Sequence, residues 1–573
     1  MNGGAQAGSG LTARSPEVLG VLREVFGLQD YRGFQEQAID GVLAGRDGLL
    51  TLPTGGGKSL VYQLPALVLP GLTLVVSPLI ALMQDQVQAL RAKGVRAAFL
   101  NSSLSAGERD ERLRQATAGE LDLLYVTPER FRSEAFQAAE GRMGIARMAV
   151  DEAHCVSQWG HDFRPDYSRL ALVRERLGMP PVVALTATAT PQVADDIVAS
   201  LALRDPWIVR AGIERENLFL ACQPVFTREE KLEHLAMRLR SLPGAGIVYS
   251  SLVKDLEDLH SELLRRGIET LVYHGKLSTE ERRRMQRRFQ ESPDAIVLAT
   301  NAFGMGIDKA DIRFVLHAQI PRTLEAWTQE VGRAGRDGAP SFCELTYLEE
   351  DLAIQQNFIQ WANPSLEYLV GVYEVLRGWG ERLATKDLQD LRQELLVKDR
   401  RDGRIGIVLR WFDVLGVTRG SFEEHNLELV RELDPGELPA FVGSGEKREA
   451  DLMGLLEMVR FAGSHEPCRR ERLLEYFGLP APEGPCGACD VCAPLPAWAV
   501  EGEGHRSRTT TTREADVAWQ RGDWVRVGRH LGQVVEVQGT GNRAVLIVES
   551  ADDLRRRRVD PRRSKVRRLE RGG

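Results

Sequence analysis

No run of about 18 apolar residues occurs anywhere in this sequence, so a membrane-crossing helix is not expected. The first ten residues, MNGGAQAGSG, lack the apolar stretch that marks a secretory signal. Cysteine is scarce, with seven in 573 residues and hence an odd number. That argues against a disulfide framework and for a reduced, cytoplasmic setting. Positive charge is not in excess either: 74 Lys and Arg against 81 Asp and Glu leave a net charge of −7. Any surface for nucleic acid must therefore be a local patch. No short-period internal repeat is present. The remainder is ordinary for a well-cored chain, with 43% hydrophobic and 27% charged residues. At ~150 residues per domain its length suits about four domains.

Residues 1–14 are rich in Gly, Ala and Ser and are expected to be disordered. From Gly48 to about Arg210 the short apolar runs GLLTL, LTLVVS, LDLLYV, MAVDE and VVALTA alternate with polar helical stretches. Such runs read as buried parallel strands joined by crossover helices. A second series, GIVYS, TLVYHG, AIVLAT, RFVLHA and CELTYL, begins near Gly246. Two α/β domains are expected, at 15–211 and 212–350, with the break near Ala211–Asn217. After Glu350 the strand rhythm stops. Three amphipathic helical patterns over 365–415 and a hairpin over Val417–Glu432 around Gly420 suggest a winged-helix-like insertion at 351–440. Phe422 at the hairpin tip reads as an exposed loop aromatic or a strand-splitting wedge. Residues 441–495 hold a cysteine cluster, and 496–520 read as a linker. Residues 521–573 carry short alternating strands (GDWVRV, GQVVEVQ, AVLIVE) that suggest an SH3-like barrel. After Ala551 ten Arg and Lys face four Asp and Glu, a local +6 that attracts phosphate or simply edges the barrel.

The strongest local signal is Thr54-Gly55-Gly56-Gly57-Lys58-Ser59, after the strand GLLTL and before a helix. A Gly-rich turn lets backbone N–H groups wrap phosphate oxygens, and the helix N-terminus adds its positive end. Lys58 is expected to reach the β- and γ-phosphates of ATP and Ser59 to ligate Mg²⁺. The usual pattern has a glycine where Leu52 stands. Roughly ninety residues on, Asp151-Glu152 end another strand. Asp151 is placed to hold Mg²⁺ and Glu152 to deprotonate the attacking water. Cys468, Cys486, Cys489 and Cys492 give C-x17-C-x2-C-x2-C, able to close a tetrahedral, structural Zn²⁺ site. The same C-x2-C-x2-C occurs with iron–sulfur clusters.

The stretch Asp151-Glu152-Ala153-His154-Cys155-Val156-Ser157-Gln158-Trp159-Gly160-His161-Asp162-Phe163-Arg164 resembles the DEAH box and aromatic-rich loop of RecQ DNA helicases. Ser77-Pro78-Leu79, Thr127-Pro128-Glu129, Leu185-Thr186-Ala187-Thr188, Ala299-Thr300-Asn301, Gly304-Met305-Gly306-Ile307-Asp308-Lys309 and Gln329-Glu330-Val331-Gly332-Arg333-Ala334-Gly335-Arg336 fit that family in the same order. The likeness covers about residues 20–350 and resumes at the cysteines, whose spacing is similar to the RecQ zinc-binding subdomain. It implies two tandem RecA-like domains and an ATP-dependent helicase that translocates 3′→5′ on single-stranded or branched DNA. Repair, recombination or fork maintenance at the nucleoid would be its setting. By the same resemblance Arg336 is the arginine finger and Arg333 a second phosphate contact. Gln35 reads the adenine edge and Arg32 stacks on the ring, although Leu28 replaces the usual aromatic. Gly306 and Asp308 join the nucleotide site. Pro78, His154, His161 and Thr300 join the DNA-coupling set. Aromatic faces stack on unpaired bases and guanidiniums pair with phosphates, so Trp159, Phe163 and Arg164 are expected to meet DNA. Two rival readings are an RNA helicase, disfavoured by the aromatic loop and zinc segment, and a non-hydrolysing nucleic-acid adaptor. The zinc segment usually follows the motor closely in that family, whereas about 115 residues intervene here. No HRDC-like helical module is recognisable, and the tail offers a possible site for a protein partner.

Overall fold

The structure is a computed structural model. It describes residues 10–500 apart from 54, 161, 214, 304–308, 398, 400–401 and 482–483, and beyond them 521, 524–527, 530–538, 545–550, 556–559 and 566–568. The first sheet contains β1 (Gly48–Thr51), β2 (Leu72–Val76), β3 (Ala97–Leu100), β4 (Leu123–Val126), β5 (Ile145–Val150), β6 (Val182–Thr186) and β7 (Trp207–Arg210). All are parallel, in the order 3-4-2-5-6-1-7. Strands β1, β2, β4 and β6 are buried at every residue, because helices cover both faces. The edge strands β3 and β7 are less legible, since β7 leaves Ile208 48% exposed.

The second sheet contains β8 (Leu218–Val225), β9 (Ala245–Tyr249), β10 (Leu271–Tyr273), β11 (Ile296–Ala299), β12 (Ile312–His317) and β13 (Ser341–Leu348). It is also parallel, in the order 10-11-9-12-13-8. The chain passes from one sheet to the other between Arg210 and Leu218. In both sheets the segments that matter for function leave the carboxyl ends of strands, where open α/β sheets hold ligands.

Beyond the second sheet, helix Leu352–Ala362 packs on helix Glu446–Gly463. Helices Leu366–Trp379, Leu388–Glu394 and Arg404–Leu415 then precede a short antiparallel hairpin, β14 (Thr418–Arg419) with β15 (Glu428–Leu429). They share a core that includes Leu369, Leu376, Val408 and Phe412. Phe422 is part of that core, edge-on to Trp379, and is neither an exposed loop aromatic nor a wedge. The cysteine segment is built onto the second sheet: Cys489 bridges Leu220 of β8, and Asp490 accepts the Cys222 N–H at 2.8 Å.

Two expected boundaries move. Residues 10–14 are not disordered: Asp40 accepts the Ala13 N–H at 2.6 Å, and Arg14 pairs with Asp30 and Glu36. Residues 497–500 do not behave as linker. They form a helical turn on helix Arg228–Ser241, where Ser241 donates to the Ala499 carbonyl. The unit from Arg506 onward is compact in its own right. Its strands β16 (Trp524–Val527), β17 (His530–Gln538), β18 (Val545–Ser550), β19 (Arg556–Val559) and β20 (Val566–Arg568) form an antiparallel sheet in the order 19-18-17-16-20. Among the described residues no pairing joins β19 to β20. No described helix is long and apolar enough to cross a membrane.

Candidate active site

β1 ends at Thr51, and the chain turns through Leu52–Ser59 into helix Leu60–Val68. Gly55 and Gly57 sit at φ +84° and +75°, where any other residue would be strained. A side chain on Gly57 would also run into the Gln35 amide. That amide donates to the carbonyls of Gly56 and Gly57, each at 3.2 Å, while its oxygen accepts the Arg32 N–H at 2.9 Å. Gln35 thus braces the glycine turn with the same amide expected to read adenine. The Arg32 side chain is exposed, and Leu28 rests half-buried on the core. Lys58 Nζ donates to the Leu52 carbonyl at 3.0 Å. Burial pushes its pKa down, against the opposing pull of Glu152 and Asp151. An anionic ligand would be a better partner for this ammonium than a neutral carbonyl. Thr54 lies outside the described residues.

Asp151 and Glu152 follow β5. Burial pushes the Asp151 carboxyl up to about 7; the neighbouring Glu152 charge adds to this and Lys58 opposes it. A bound divalent cation reverses such a shift, because its charge favours the carboxylate. Glu152 adopts φ +49°, a left-handed conformation that costs a non-glycine residue about 1–3 kcal/mol. Its N–H donates to Asp151 Oδ1 at 3.0 Å. Its buried Oε2 accepts no hydrogen bond among the described residues and stands 3.5 Å from His154 Nδ1. The Thr186 hydroxyl donates to the Thr188 carbonyl at 3.0 Å, so its contact with His154 Nδ1 at 2.9 Å must be received from an Nδ1–H. Burial lowers the His154 pKa to about 4, so this imidazole is neutral near pH 7. The ends of β5 and β6 are thereby tied together beside the carboxylates.

The two arginines of the second domain go to different places. The Arg336 side chain lies over Gly55, its Cγ 3.5 Å from the position a Cβ would take there. Arg333 is buried, bonds the Tyr249 hydroxyl and faces the cleft between the domains. Of the two, Arg336 is the one seen against the described part of the phosphate loop. The turn that aims it is held by residues the sequence did not single out. Asn217 Nδ2 donates to the carbonyls of Gly335 and Ala339, both at 2.9 Å, and Arg215 Nη2 to those of Gly335 at 2.5 Å and Ala334 at 3.1 Å. Arg470 grips the same connector through the carbonyls of Arg215 at 2.8 Å and Leu218 at 2.7 Å. The available signal was two polar side chains, Arg215 and Asn217, in the break between domains, a place read as connector.

A cleft of about 570 Å³ separates the domains, with Pro78, Glu152, His154 and Arg164 on one wall and Gln319 and Arg333 on the other. Thr300 is buried at the end of β11, just before Asn301 and Ala302 of the cleft wall. His161, Gly306 and Asp308 fall outside the described residues. Side chains of the aromatic loop have partners within the chain. Arg164 is held by Asp162 at 2.9 Å and by the Pro78 carbonyl at 3.4 Å. Trp159 packs half-buried on the first-domain core. Phe163 stacks on Trp411 (centroids 6.1 Å apart, planes at 29°) and meets Phe441 edge-on at 5.4 Å. The insertion is what engages it. Arg132 pairs with Asp166 of the first domain and Asp413 of helix Arg404–Leu415, each at 2.5 Å.

The four cysteine sulfurs lie within 4.8 Å of one another, and Cys468 and Cys489 are 3.8 Å apart. A tetrahedron with Zn–S bonds of about 2.3 Å has edges of about 3.8 Å, so the cradle fits zinc. The separation is too long for a disulfide, which requires about 2.05 Å. Arg469 pairs with Asp490 beside Cys489, fixing the two ligand segments together.

Three family descriptions match the chain: DEAD/DEAH box helicase over residues 32–197, helicase conserved C-terminal domain over 228–338, and RecQ zinc-binding over 434–493. The probable ATP-dependent DNA helicase RecS of Bacillus subtilis (strain 168) is 34% identical over 500 residues, covering 84% of this chain and 96% of that protein. The ATP-dependent DNA helicase RecQ of the same organism is 42% identical over 342 residues, covering 59% of this chain and 58% of its own length. The ATP-dependent DNA helicase Q5 of Rattus norvegicus is 44% identical over 357 residues, covering 59% of this chain and 37% of that protein.

Proposed function

Since the chain belongs to the RecQ family of ATP-dependent DNA helicases, an enzyme class that hydrolyses ATP, acts on DNA and carries zinc, we propose that it moves 3′→5′ along single-stranded DNA and separates branched or tailed duplexes. Mg²⁺·ATP sits between the two domains. Lys58 takes the β- and γ-phosphates, and Ser59 and Asp151 take the metal. Glu152 receives the proton of the attacking water. Arg336 neutralises charge that develops on the γ-phosphate, and Arg333 lends a second positive charge from the cleft. Arg32 and Gln35 meet the base, so nucleotide binding draws on the same amide that braces Gly56 and Gly57. The observation that carries this reading is Arg336, which crosses from the second domain to lie over Gly55 of the first. A finger delivered across a cleft makes hydrolysis depend on closure, and closure is what DNA in the cleft can bias.

The test is ATP turnover by the full chain with single-stranded DNA, with RNA and with neither, beside the Lys58→Ala variant. DNA should stimulate the wild type, and Lys58→Ala should abolish turnover while keeping much of the DNA binding. Stimulation by RNA alone would indicate an RNA helicase, and no turnover at all an adaptor. Unwinding of 3′-tailed but not 5′-tailed duplexes checks the polarity.

His154 and the loop from Trp159 to Arg164 report DNA occupancy to the carboxylates. His154 is bonded into β6 and touches Glu152, and Arg164 lines the same cleft. Phe163→Ala should therefore lower DNA-stimulated turnover more than basal turnover. The expected ratio is about 2–30-fold, corresponding to couplings of about 0.5–2 kcal/mol. Equal losses with and without DNA would point to misfolding instead. The tail is read as an SH3-like module whose basic stretch meets phosphate or a protein partner. Work at the nucleoid in repair, recombination or fork maintenance fits such an enzyme.

A further inference from the structure

A second cavity, of about 310 Å³, opens where the aromatic loop meets the insertion. Its size is at the lower end of small-molecule sites, which run from about 300 to 1,000 Å³. One wall is aromatic: Phe163 and Phe441, both half-buried, backed by Trp411. The charged residues around it are mostly cationic. Asp162 is the sole acid among the lining side chains, and Arg164 already neutralises it. Lys447 is committed to Asp451 at 3.0 Å. Arg410 and Arg448 are exposed at the rim and have no ion pair among the described residues. In the same segment Arg404 and Arg431 are each paired, with Asp402 and Glu437. Two uncommitted guanidiniums on the rim of an aromatic-walled cavity match the chemistry of a nucleotide, whose base has a π-face and whose phosphate is an anion. Asp162 and Arg322 line both this cavity and the interdomain cleft, so the two spaces adjoin.

We propose that this cavity binds one nucleotide, with its base against the Phe163–Phe441 wall and its phosphate at Arg410 and Arg448. Two sources share that chemistry: a unit of the DNA strand leaving the cleft, and a free mononucleotide. The first rests on the DNA-helicase reading.

The test uses the full chain and a single-stranded oligonucleotide bearing 5-iodo-deoxyuridine at one position, with free 5-iodo-deoxyuridine monophosphate as a second arm. Irradiation should cross-link the peptide that contains Phe163 or the one that contains Phe441. A cross-link from the oligonucleotide alone assigns the cavity to the strand, and one from the monophosphate alone assigns it to a free nucleotide. For the strand, the Arg410→Ala/Arg448→Ala double variant should flatten the log–log salt dependence of DNA binding by about 0.7, the contribution of one neutralised phosphate on a single strand. Phe441→Ala should weaken strand binding about fivefold or more, the low end for one stacked base. The arginines are exposed, so their replacement does not endanger folding. Cross-links confined to other peptides in both arms, with an unchanged salt slope, overturn the proposal. DNA stimulation of wild-type turnover in the same preparation separates that failure from a failure of the helicase reading.

Discussion

Replacing Glu152 with glutamine should leave ATP binding in place and slow DNA-stimulated hydrolysis by about 10²–10⁴-fold, the usual contribution of a positioned base. The change is nearly isosteric, so the left-handed turn at φ +49° and the Asp151–Glu152 backbone contact are retained. What is lost is the proton-accepting oxygen. Oε2 is buried and accepts no hydrogen bond among the described residues, which leaves its lone pairs available to a water. Single-turnover hydrolysis beside equilibrium nucleotide binding separates the two effects. A loss below about tenfold would remove Glu152 from the role of base.

Cys489→Ser should cost the chain its zinc, most of its soluble yield and, with them, its ATP turnover. Structural zinc contributes about 10–16 kcal/mol of apparent binding free energy in small zinc domains, against a whole-domain stability of about 5–15 kcal/mol. Here the effect cannot stay local. Cys489 is 0% exposed and shares a core with Leu218, Leu220, Phe461 and Phe477, so the ligand set is part of the second domain's packing. Arg470, two residues after Cys468, holds the connector that positions the Arg336 turn. Elemental analysis should find one zinc per wild-type chain and none in the variant, whose thermal unfolding should begin at a lower temperature. Iron with inorganic sulfide in the wild type would replace the assignment with a cluster. A variant that kept its zinc and its melting temperature would remove Cys489 from the ligand set.

Much of this site was legible because its determinants are short in sequence. Gly55, Gly57 and Lys58 form one turn, Asp151 and Glu152 one strand end, and three of the four cysteines lie within seven residues. The strands were legible where both faces are covered, as in β1, β2, β4 and β6. The edge strands β3 and β7, four residues each, were not. Contacts across long separations left no local trace. Phe163 reads as a free aromatic until Trp411 and Phe441 are brought against it. Phe422 reads as a loop tip until Trp379 covers it. Gln35 carries a recognisable motif, yet its hold on the glycine turn is a tertiary fact.

Strand β8 has consequences for how the chain is made. One side of it pairs with β13 and the other meets the cysteine segment, so its outer edge is finished by residues 268 positions later, as the Cys222–Asp490 bond shows. At about 5–20 residues per second, the ribosome needs on the order of tens of seconds to supply that cover. During that interval β8 presents an uncapped edge, the kind of surface that recruits strands from neighbouring chains. The connector gripped by Arg470 stays unclasped for nearly as long. Zinc supply during translation therefore bears on how many nascent chains become motors and how many are lost to aggregation.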